Sequence, residues 1–270
     1  MKTPATELLN IELPIFAFSH CRDVVAAVSK AGGMGVLGIS AFTPEQLEEE
    51  LAWIDAHVDG NSYGVDILIP NRYDQAASQQ MTLDKVRARV PTAHREFSDA
   101  LCAKAGAAPL TAEGEAQLAD HIGKIHMTPE TAEELVAVAL RHPQVSLLVN
   151  ALGTPPRERV AELHARGLKV GSLIGKVEHA AAQVEAGVDL IVAQGSEAGG
   201  HTGRISSMIL WPQVIGTVSP VPVLAAGGIG SGRQMAAAMA MGAAGIWCGS
   251  IWLGTAESEL STAMKARLFE

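Results

Sequence analysis

Long apolar runs, basic clusters and aromatic residues are all scarce in this sequence, and each scarcity argues against a class of protein. No apolar run approaches the roughly 18 residues of a membrane-spanning helix, and the first residues lack the apolar core of a signal peptide. The formal net charge is -9, without a basic cluster, which disfavours nucleic acid and anionic membranes as partners. Four Trp, two Tyr and five Phe are too few for an aromatic platform that stacks bases.

Cysteine is scarce as well, with three residues far apart in the chain, Cys21, Cys102 and Cys248. Because they are odd in number and form no Cys-x-x-Cys pair, they indicate neither a disulfide framework nor a zinc site. His, Asp and Glu also show no spacing typical of metal ligands, so we expect no metal. A reducing cytoplasm is the expected location.

What the chain does contain is a large apolar fraction, 48%, together with 27 glycines, which is typical of a globular enzyme. Eight short apolar runs alternate with amphipathic helical segments, a pattern that predicts a parallel sheet. Eight such units in about 250 residues favour an α/β fold of the (β/α)8 or TIM barrel type. The predicted strands are Ile15–Ser19, Met34–Ser40, Ser62–Ile69, Val145–Leu152, Lys169–Gly175, Leu190–Ser196, Val221–Gly228 and Gly245–Gly254.

One βα unit is irregular, since about 55 residues, Asn71 to Met127, separate the third strand from the next regular helix. Their polar and Ala-rich helical stretches predict a helical insertion within a single domain that spans residues 1–270. The insertion follows the carboxyl end of a strand, where barrel enzymes place active-site loops. It is either a lid over the active site or a plain surface excursion.

The ends of the predicted seventh and eighth strands carry glycine pairs typical of an anion site. Gly227 and Gly228 precede a helix whose N-cap is expected at Ser231, and Gly249 and Ser250 follow the neighbouring strand. Backbone N–H groups exposed there, together with the helix dipole, form the usual phosphate site of such barrels. We therefore expect a phosphorylated ligand at these two strand ends.

The end of the sixth strand is the densest concentration of candidate functional residues. The segment from Ala193 to Arg204 contains four glycines, one carboxylate and His201. Glycine allows close approach of the backbone to a ligand, and histidine is the usual side chain for proton transfer near neutral pH. This segment predicts an active-site loop in which His201 is the candidate for proton transfer.

The motifs at these strand ends resemble those of the nitronate monooxygenases, formerly called 2-nitropropane dioxygenases, which are FMN-dependent barrels. The resemblance covers nearly the whole chain except the insertion, and the signature from Ala193 to His201 is its most specific part. The other matching segments are Ala26 to Gly35, Leu152 to Pro155, Pro222 to Gly228, and the motif through Gly242-Ala243, Gly249-Ser250 and Glu257-Ser258.

The resemblance implies a set of FMN contacts across the barrel mouth. Phosphate would lie at Gly227, Gly228, Gly249 and Ser250, the isoalloxazine edge at Gln194 and Gly195, and the face of the ring over Phe18 and Ser19. Asp66 stands where the family commonly has a flavin-contacting Asn, and as a carboxylate it would accept but not donate a hydrogen bond. Gly199 and Gly200 would complete the cofactor-binding set and leave room for substrate, and His201 would lie over the flavin as general base.

The implied reaction is the oxidation of a nitronate or nitroalkane by dioxygen to a carbonyl compound and nitrite. Two alternatives stay open: a flavin-dependent enoyl-thioester reductase that takes hydride from NAD(P)H, and a non-catalytic flavin-binding barrel. The oligomeric state is also open, with a homodimer as one candidate.

Several residues depart from the family pattern or have two interpretations. Phe18-Ser19-His20 replaces a common Pro-Met, and the chain ends at Glu270, so that either the pocket is minimal or the chain is truncated. His20 and His126 are candidate second histidines of the mouth or ordinary packed or solvated ones. Asn150 either contacts the flavin or caps a turn.

Overall fold

The computed structural model describes residues 1–69, 82–124 and 128–270, and within them eight parallel strands close into a barrel in sequence order. The (β/α)8 fold predicted from the sequence is confirmed. The strands are β1 Ile15–Ser19, β2 Met34–Gly38, β3 Tyr63–Ile67, β4 Val145–Asn150, β5 Lys169–Ile174, β6 Leu190–Gln194, β7 Val223–Ala226 and β8 Gly245–Cys248.

The eighth strand is shorter than predicted, because residues after Cys248 leave the sheet. Ser250–Gly254 form a 3-10 helix, and the Trp252 side chain donates from Nε1 to the Cys248 carbonyl at 2.7 Å. The predicted strand through Gly254 is therefore wrong in its second half. The apolar residues Ile251 to Leu253 imitate a strand in composition, while the bond from Trp252 turns the chain.

Twelve α-helices surround the barrel or continue from it within the described residues. Their bounds are α1 Pro4–Leu9, α2 Arg22–Lys30, α3 Pro44–His57, α4 Leu83–Arg89, α5 Thr92–Lys104, α6 Ala112–Lys124, α7 Pro129–Ala139, α8 Arg157–Ala165, α9 Ala180–Ala186, α10 Ser207–Val218, α11 Gly232–Ala240 and α12 Thr262–Leu268. None of these helices is long and apolar enough to cross a membrane.

The core has two layers because strand side chains alternate between the two faces of the closed sheet. One cluster, which includes Phe16, Val36 and Val192, fills the barrel lumen, and the other packs between the sheet and the helices. Helix α1 closes the amino-terminal end of the barrel, since its buried Ala5 and Leu9 belong to the lumen cluster. We did not predict α1, although Thr3 and Thr6 form a capping box around Pro4.

The predicted insertion contains helices α4, α5 and α6 in its described part, and every residue of α4 and α5 is at least partly exposed. Helices α4 and α6 are joined by an ion pair between Arg87 and Glu115 at 2.9 Å. Residues 70–81 and 125–127, and with them His126, lie outside the described part. Whether the insertion is a lid stays a prediction.

Helix α2 packs so closely on β2 that Gly35 cannot carry a side chain. A Cβ atom at Gly35 would lie 2.2 Å from the carbonyl oxygen of Val25 and 2.6 Å from its Cα. Gly35→Ala should therefore lower the free energy of unfolding by about 3 kcal/mol through overpacking. Gly216→Ala is the matched control, because a Cβ there meets no atom within 4 Å.

The control should raise stability by about 1 kcal/mol, since alanine is the better helix former on the exposed surface of α10. Urea denaturation of both variants measures the difference. Equal stabilities for the two variants would contradict the described packing of α2 on β2.

Candidate active site

The carboxyl ends of the eight strands meet at one rim of the barrel, and alternation decides which of their side chains enter the mouth. Four side chains near this rim alternate in step with the lumen cluster and therefore face the lumen. They are Phe18, Asp66, Gln194 and Trp247. The Phe18 and Trp247 rings stack with centroids 6.1 Å apart, so that two aromatic rings form part of the floor of the mouth. Trp247 was missed in the sequence, although the alternation of lumen-facing and helix-facing residues along β8 could have identified it.

The ends of β7 and β8 expose unpaired backbone donors. No described residue accepts a hydrogen bond from the backbone N–H of Gly228, Ile229, Gly249 or Ser250. Gly227 and Gly228 have φ values of 117° and 70°, which are conformations that favour glycine. Because helix α11 begins just beyond them, its positive end adds to these donors. The predicted phosphate site therefore has the donors that an anion requires.

Gln234 in the first turn of α11 holds the turn that presents these donors. Its Nε2 donates to the carbonyl of Gly228 at 2.8 Å, and its Oε1 accepts from the N–H of Gly230 at 2.9 Å. Ser231 caps the helix by accepting from the N–H of Gln234, as expected. Gln234 was missed, because its contacts depend on the fold of the turn rather than on a motif.

The loop that follows β6, residues 196–205, is closed at its neck. The N–H of Ser196 donates to the carbonyl of Ile205 at 2.9 Å. Beside the neck, Gly203 passes so near β5 that an added Cβ would lie 2.4 Å from the Gly175 carbonyl oxygen. His201 lies at the exposed tip and has no hydrogen-bond partner among the described residues. The imidazole is therefore open to a ligand or to solvent.

This loop lies against the ends of β7 and β8. A Cβ atom on Gly199 would lie 2.7 Å from Oγ of Ser250, and one on Gly228 would lie 3.0 Å from Cβ of Glu197. The structure thus brings the loop that carries His201 together with the predicted phosphate site, although the two are far apart in sequence. Their roles toward a cofactor stay predictions.

Helix α10 fixes β6 and β7 with two side chains one turn apart. Ser207 Oγ lies 3.1 Å from the Gly227 carbonyl, and a Cβ on Gly195 would approach the Ser207 backbone to 2.5 Å. Trp211 donates from Nε1 to the carbonyls of Ala193 and Ala226, at 3.1 and 3.0 Å. These contacts hold the strand ends that lead into the loop and the phosphate site.

Glu197 ties the loop to the same helix. Its carboxylate accepts from the N–H of Ser207 at 2.8 Å and from Oγ of Ser207 at 2.7 Å, and these bonds lower the pKa of Glu197. The N-cap residue, Ser206, makes no side-chain capping bond of its own. Glu197 therefore acts as the acceptor that a helix N-terminus needs.

Glu197→Ala should loosen the loop while the barrel stays folded. Loss of such a capping acceptor typically costs about 1 kcal/mol, which corresponds to roughly fivefold more frequent opening of this segment. Hydrogen exchange at amides 196–207 measures the opening. Glu185→Ala, at an exposed position of α9, is the control, and equal exchange of these amides in both variants would exclude the proposed tie.

Asp66 lies in the mouth as a buried carboxyl group. It is 6% exposed, its Cα is paired with those of Gly38 on β2 and Val149 on β4, and its carboxyl has no hydrogen-bond partner among the described residues. Burial raises the pKa of Asp66 to about 8, because a charged carboxylate is poorly solvated there. Burial thus favours the neutral acid near pH 7, which can donate as well as accept, whereas the sequence expectation was of a carboxylate that only accepts; the contact of Asp66 with a flavin stays a prediction.

The side chains of His20 and Ser19 both make contacts within the protein, His20 with Phe18 and Gly38 and Ser19 with the start of α2. The His20 ring lies 5.1 Å edge-on from Phe18, with Nδ1 3.2 Å from the Gly38 carbonyl, and it fills the space that a side chain at Gly38 would need. Ser19 Oγ accepts from the N–H of Cys21 at 3.0 Å, at the start of α2. Ser19 is thus engaged locally, and its contact with a flavin stays a prediction.

Asn150 caps a turn. Its Oδ1 accepts from the N–H of Ile69 at 3.1 Å, and its Nδ2 donates to the carbonyls of Leu152 and Gly153 at 3.0 and 3.2 Å. These bonds use both ends of the amide, so of the two interpretations of Asn150 the turn cap is the one observed.

Comparison with known proteins gives a consistent result over the whole chain. The profile of the family described as nitronate monooxygenase matches residues 2–270. A protein of Mycobacterium tuberculosis with the provisional name of a monooxygenase is 48% identical over 98% of this chain and 70% of its own length.

Two solved structures share the fold over 99% of this chain. Nitroalkane oxidase from Streptomyces ansochromogenes is 28% identical, with a TM-score of 0.76 and 73% of its chain covered. FabK from Thermotoga maritima is 26% identical, with a TM-score of 0.70 and 68% of its chain covered. The match to the family profile over residues 2–270 and the similarity to these proteins show that the chain belongs to the nitronate monooxygenase family of flavin-dependent oxidoreductases.

Proposed function

We propose that the protein is an FMN-dependent nitronate monooxygenase, which oxidises nitronates and nitroalkanes with dioxygen to carbonyl compounds and nitrite. The observation that carries this proposal is the set of unpaired N–H donors at Gly228, Ile229, Gly249 and Ser250, which face the loop that carries His201. The same end of the barrel thus offers hydrogen-bond donors for a phosphorylated cofactor and a histidine for proton transfer.

The residues present fit a flavin mononucleotide. The unpaired donors and the N-terminus of α11 suit its phosphate, and the Phe18 and Trp247 rings suit an aromatic ring system. The unpaired carboxyl of Asp66 and the amide of Gln194 offer polar contacts within the mouth. When bound, the flavin supplies an electron-accepting ring through which electrons pass from the organic substrate to dioxygen.

We infer that His201 acts as the general base. The two glycines before it carry no side chains, and Gly200 takes a positive φ of 79°, so the loop tip leaves space beside the imidazole. We infer that a nitroalkane places its α-carbon there and gives its α-proton to His201. A nitronate, which has already lost that proton, needs His201 only for orientation.

The reaction balances without a nicotinamide. One dioxygen and two nitronate ions give two carbonyl compounds and two nitrite ions, so that atoms and charge are conserved. The role of the chain's own residues is to bind the cofactor phosphate, to orient the substrate anion and to remove the α-proton.

The cofactor assignment is tested by comparing two flavins on the same apoprotein. FMN should bind at least about a hundredfold more tightly than riboflavin, because charge-assisted bonds from several N–H groups to the phosphate are each worth about 1.5–3 kcal/mol. Fluorescence titration measures both dissociation constants. Equal affinities would contradict a phosphate site at β7 and β8.

The reaction is tested by incubating the flavin-loaded protein with a primary alkyl nitronate in air, without NAD(P)H. Nitrite should form and oxygen should be consumed in the ratio of two to one. Absence of nitrite from a protein that holds its flavin would refute the proposed substrate class and leave the cofactor assignment intact.

A further inference from the structure

The barrel mouth contains a titratable group that the proposed reaction does not use. Asp66 points into the mouth at the carboxyl end of β3, on the same sheet face as Phe18 and Trp247. It is more than nine-tenths buried, and no described residue forms an ion pair or hydrogen bond with its carboxyl group. A buried polar group without a partner is costly, so its presence at the mouth indicates that a ligand supplies the partner.

The neighbours of Asp66 explain why its pKa is raised. Gly38 on β2 and Val149 on β4 are its paired residues, and neither has a polar side chain. The titratable ring of His20 lies against Gly38, with Nδ1 3.2 Å from the Gly38 carbonyl. Burial is the one cause of the raised pKa of Asp66, and no described charged group contributes to it.

We propose that Asp66 is held as a neutral carboxylic acid inside the mouth and donates a hydrogen bond to an acceptor atom of the bound flavin, so that its ionisation releases the cofactor. This inference rests on the proposed function only in naming flavin as the ligand. The neutral acid offers one O–H donor and adds no negative charge beside an anionic substrate. Asp66 is thus a binding residue whose donor is present only while it holds its proton.

The pH dependence of flavin binding tests this proposal directly. If flavin binds only the protonated form, the apparent dissociation constant should rise about tenfold for each pH unit above about 8, since the competent fraction falls at that rate. Holoprotein is diluted into buffers between pH 7 and 9.5, and free FMN is measured by its fluorescence. The phosphate of FMN, with a second pKa near 6, is at least about nine-tenths doubly ionised throughout this range.

Two variants separate Asp66 from other titrating groups. Asp66→Asn keeps the size of the side chain and an N–H donor but cannot ionise, so its flavin affinity should change less than threefold over the same range. His20→Gln removes the neighbouring titratable ring and should keep the wild-type profile. A flat profile in the wild-type protein, or the wild-type profile in Asp66→Asn, would overturn the proposal.

The proton on Asp66 can also be observed without any flavin. Infrared difference spectra of the apoprotein, wild type minus Asp66→Asn, should show the carbonyl band of a protonated carboxyl group at pH 7 and lose it at pH 9.5. Absence of that band at pH 7 would overturn the proposal as well. Failure of all three proteins to bind FMN at pH 7 would instead refute the proposed cofactor, and with it flavin as the ligand of Asp66, whatever the infrared band shows.

Discussion

His201→Asn is expected to lower nitroalkane turnover by about 10²–10⁴, which is the usual contribution of a positioned general base. Asparagine is similar in size and polarity, but it cannot take up the α-proton. Because His201 is exposed and contacts no described residue through a hydrogen bond, the substitution should leave the fold and the loop neck intact. The steady-state rate of nitrite formation from a nitroalkane measures the loss.

Two comparisons make this prediction specific to proton transfer. Turnover of the preformed nitronate should fall much less, since its α-proton has already gone, and the flavin content should stay at the wild-type level. His57→Asn is the matched control, because His57 lies exposed at the end of α3 on the opposite side of the barrel and stacks on Trp53. Full nitroalkane activity in His201→Asn would exclude His201 as the base.

Asp66→Asn is expected to stabilise the apoprotein by an amount that grows with pH. Burial raises the pKa of Asp66 in the folded state to about 8, while an unfolded Asp has a pKa of about 3.9. Between these values the folded wild type binds more protons than the unfolded chain, so its free energy of unfolding falls as pH rises. The expected slope is at most about 1.4 kcal/mol per pH unit, or several kcal/mol in total.

Urea denaturation of apoprotein at several pH values between 5 and 9 measures this effect as the difference between the variant and the wild type. Below about pH 3, well under the unfolded pKa of about 3.9, both states of the wild type are protonated, and the pH-dependent difference vanishes. Asp59→Asn is the control, since the exposed Asp59 pairs with Lys30 at the surface, where such pairs contribute little. A difference that does not change with pH would mean that Asp66 is ionised in the folded apoprotein.

The barrel and the glycine-rich ends of β7 and β8, with their unpaired N–H donors, could be predicted from the sequence because their signals are local. Each buried parallel strand is a short apolar run, and each glycine pair at a strand end stands beside its own strand and helix. The order of the strands then brings Gly228 and Ser250 to neighbouring positions without further information. The loop at Gly199 and His201 was identified for the same reason.

Features that depend on distant parts of the chain could not be predicted in this way. The bonds from Ser207 to Glu197 and from Trp211 to Ala193 join helix α10 to the loop after β6 and to β6 itself, and no motif indicates them. The raised pKa of Asp66 is likewise a consequence of burial, and burial is known only from the packing of β2, β3 and β4 around it. The 3-10 helix after β8 was predicted as strand because its residues are as apolar as those of a buried strand.

The most direct test of a nitronate monooxygenase is to mix the flavin-loaded protein anaerobically with a single reductant and follow the absorbance of oxidised flavin. A nitronate alone should remove that absorbance, and NADH or NADPH alone should leave it unchanged over the same time. The opposite pattern, with rapid loss on NAD(P)H and none on nitronate, would contradict the proposal and identify the reductase alternative. No loss with either reductant would contradict it in favour of a non-catalytic flavin-binding barrel.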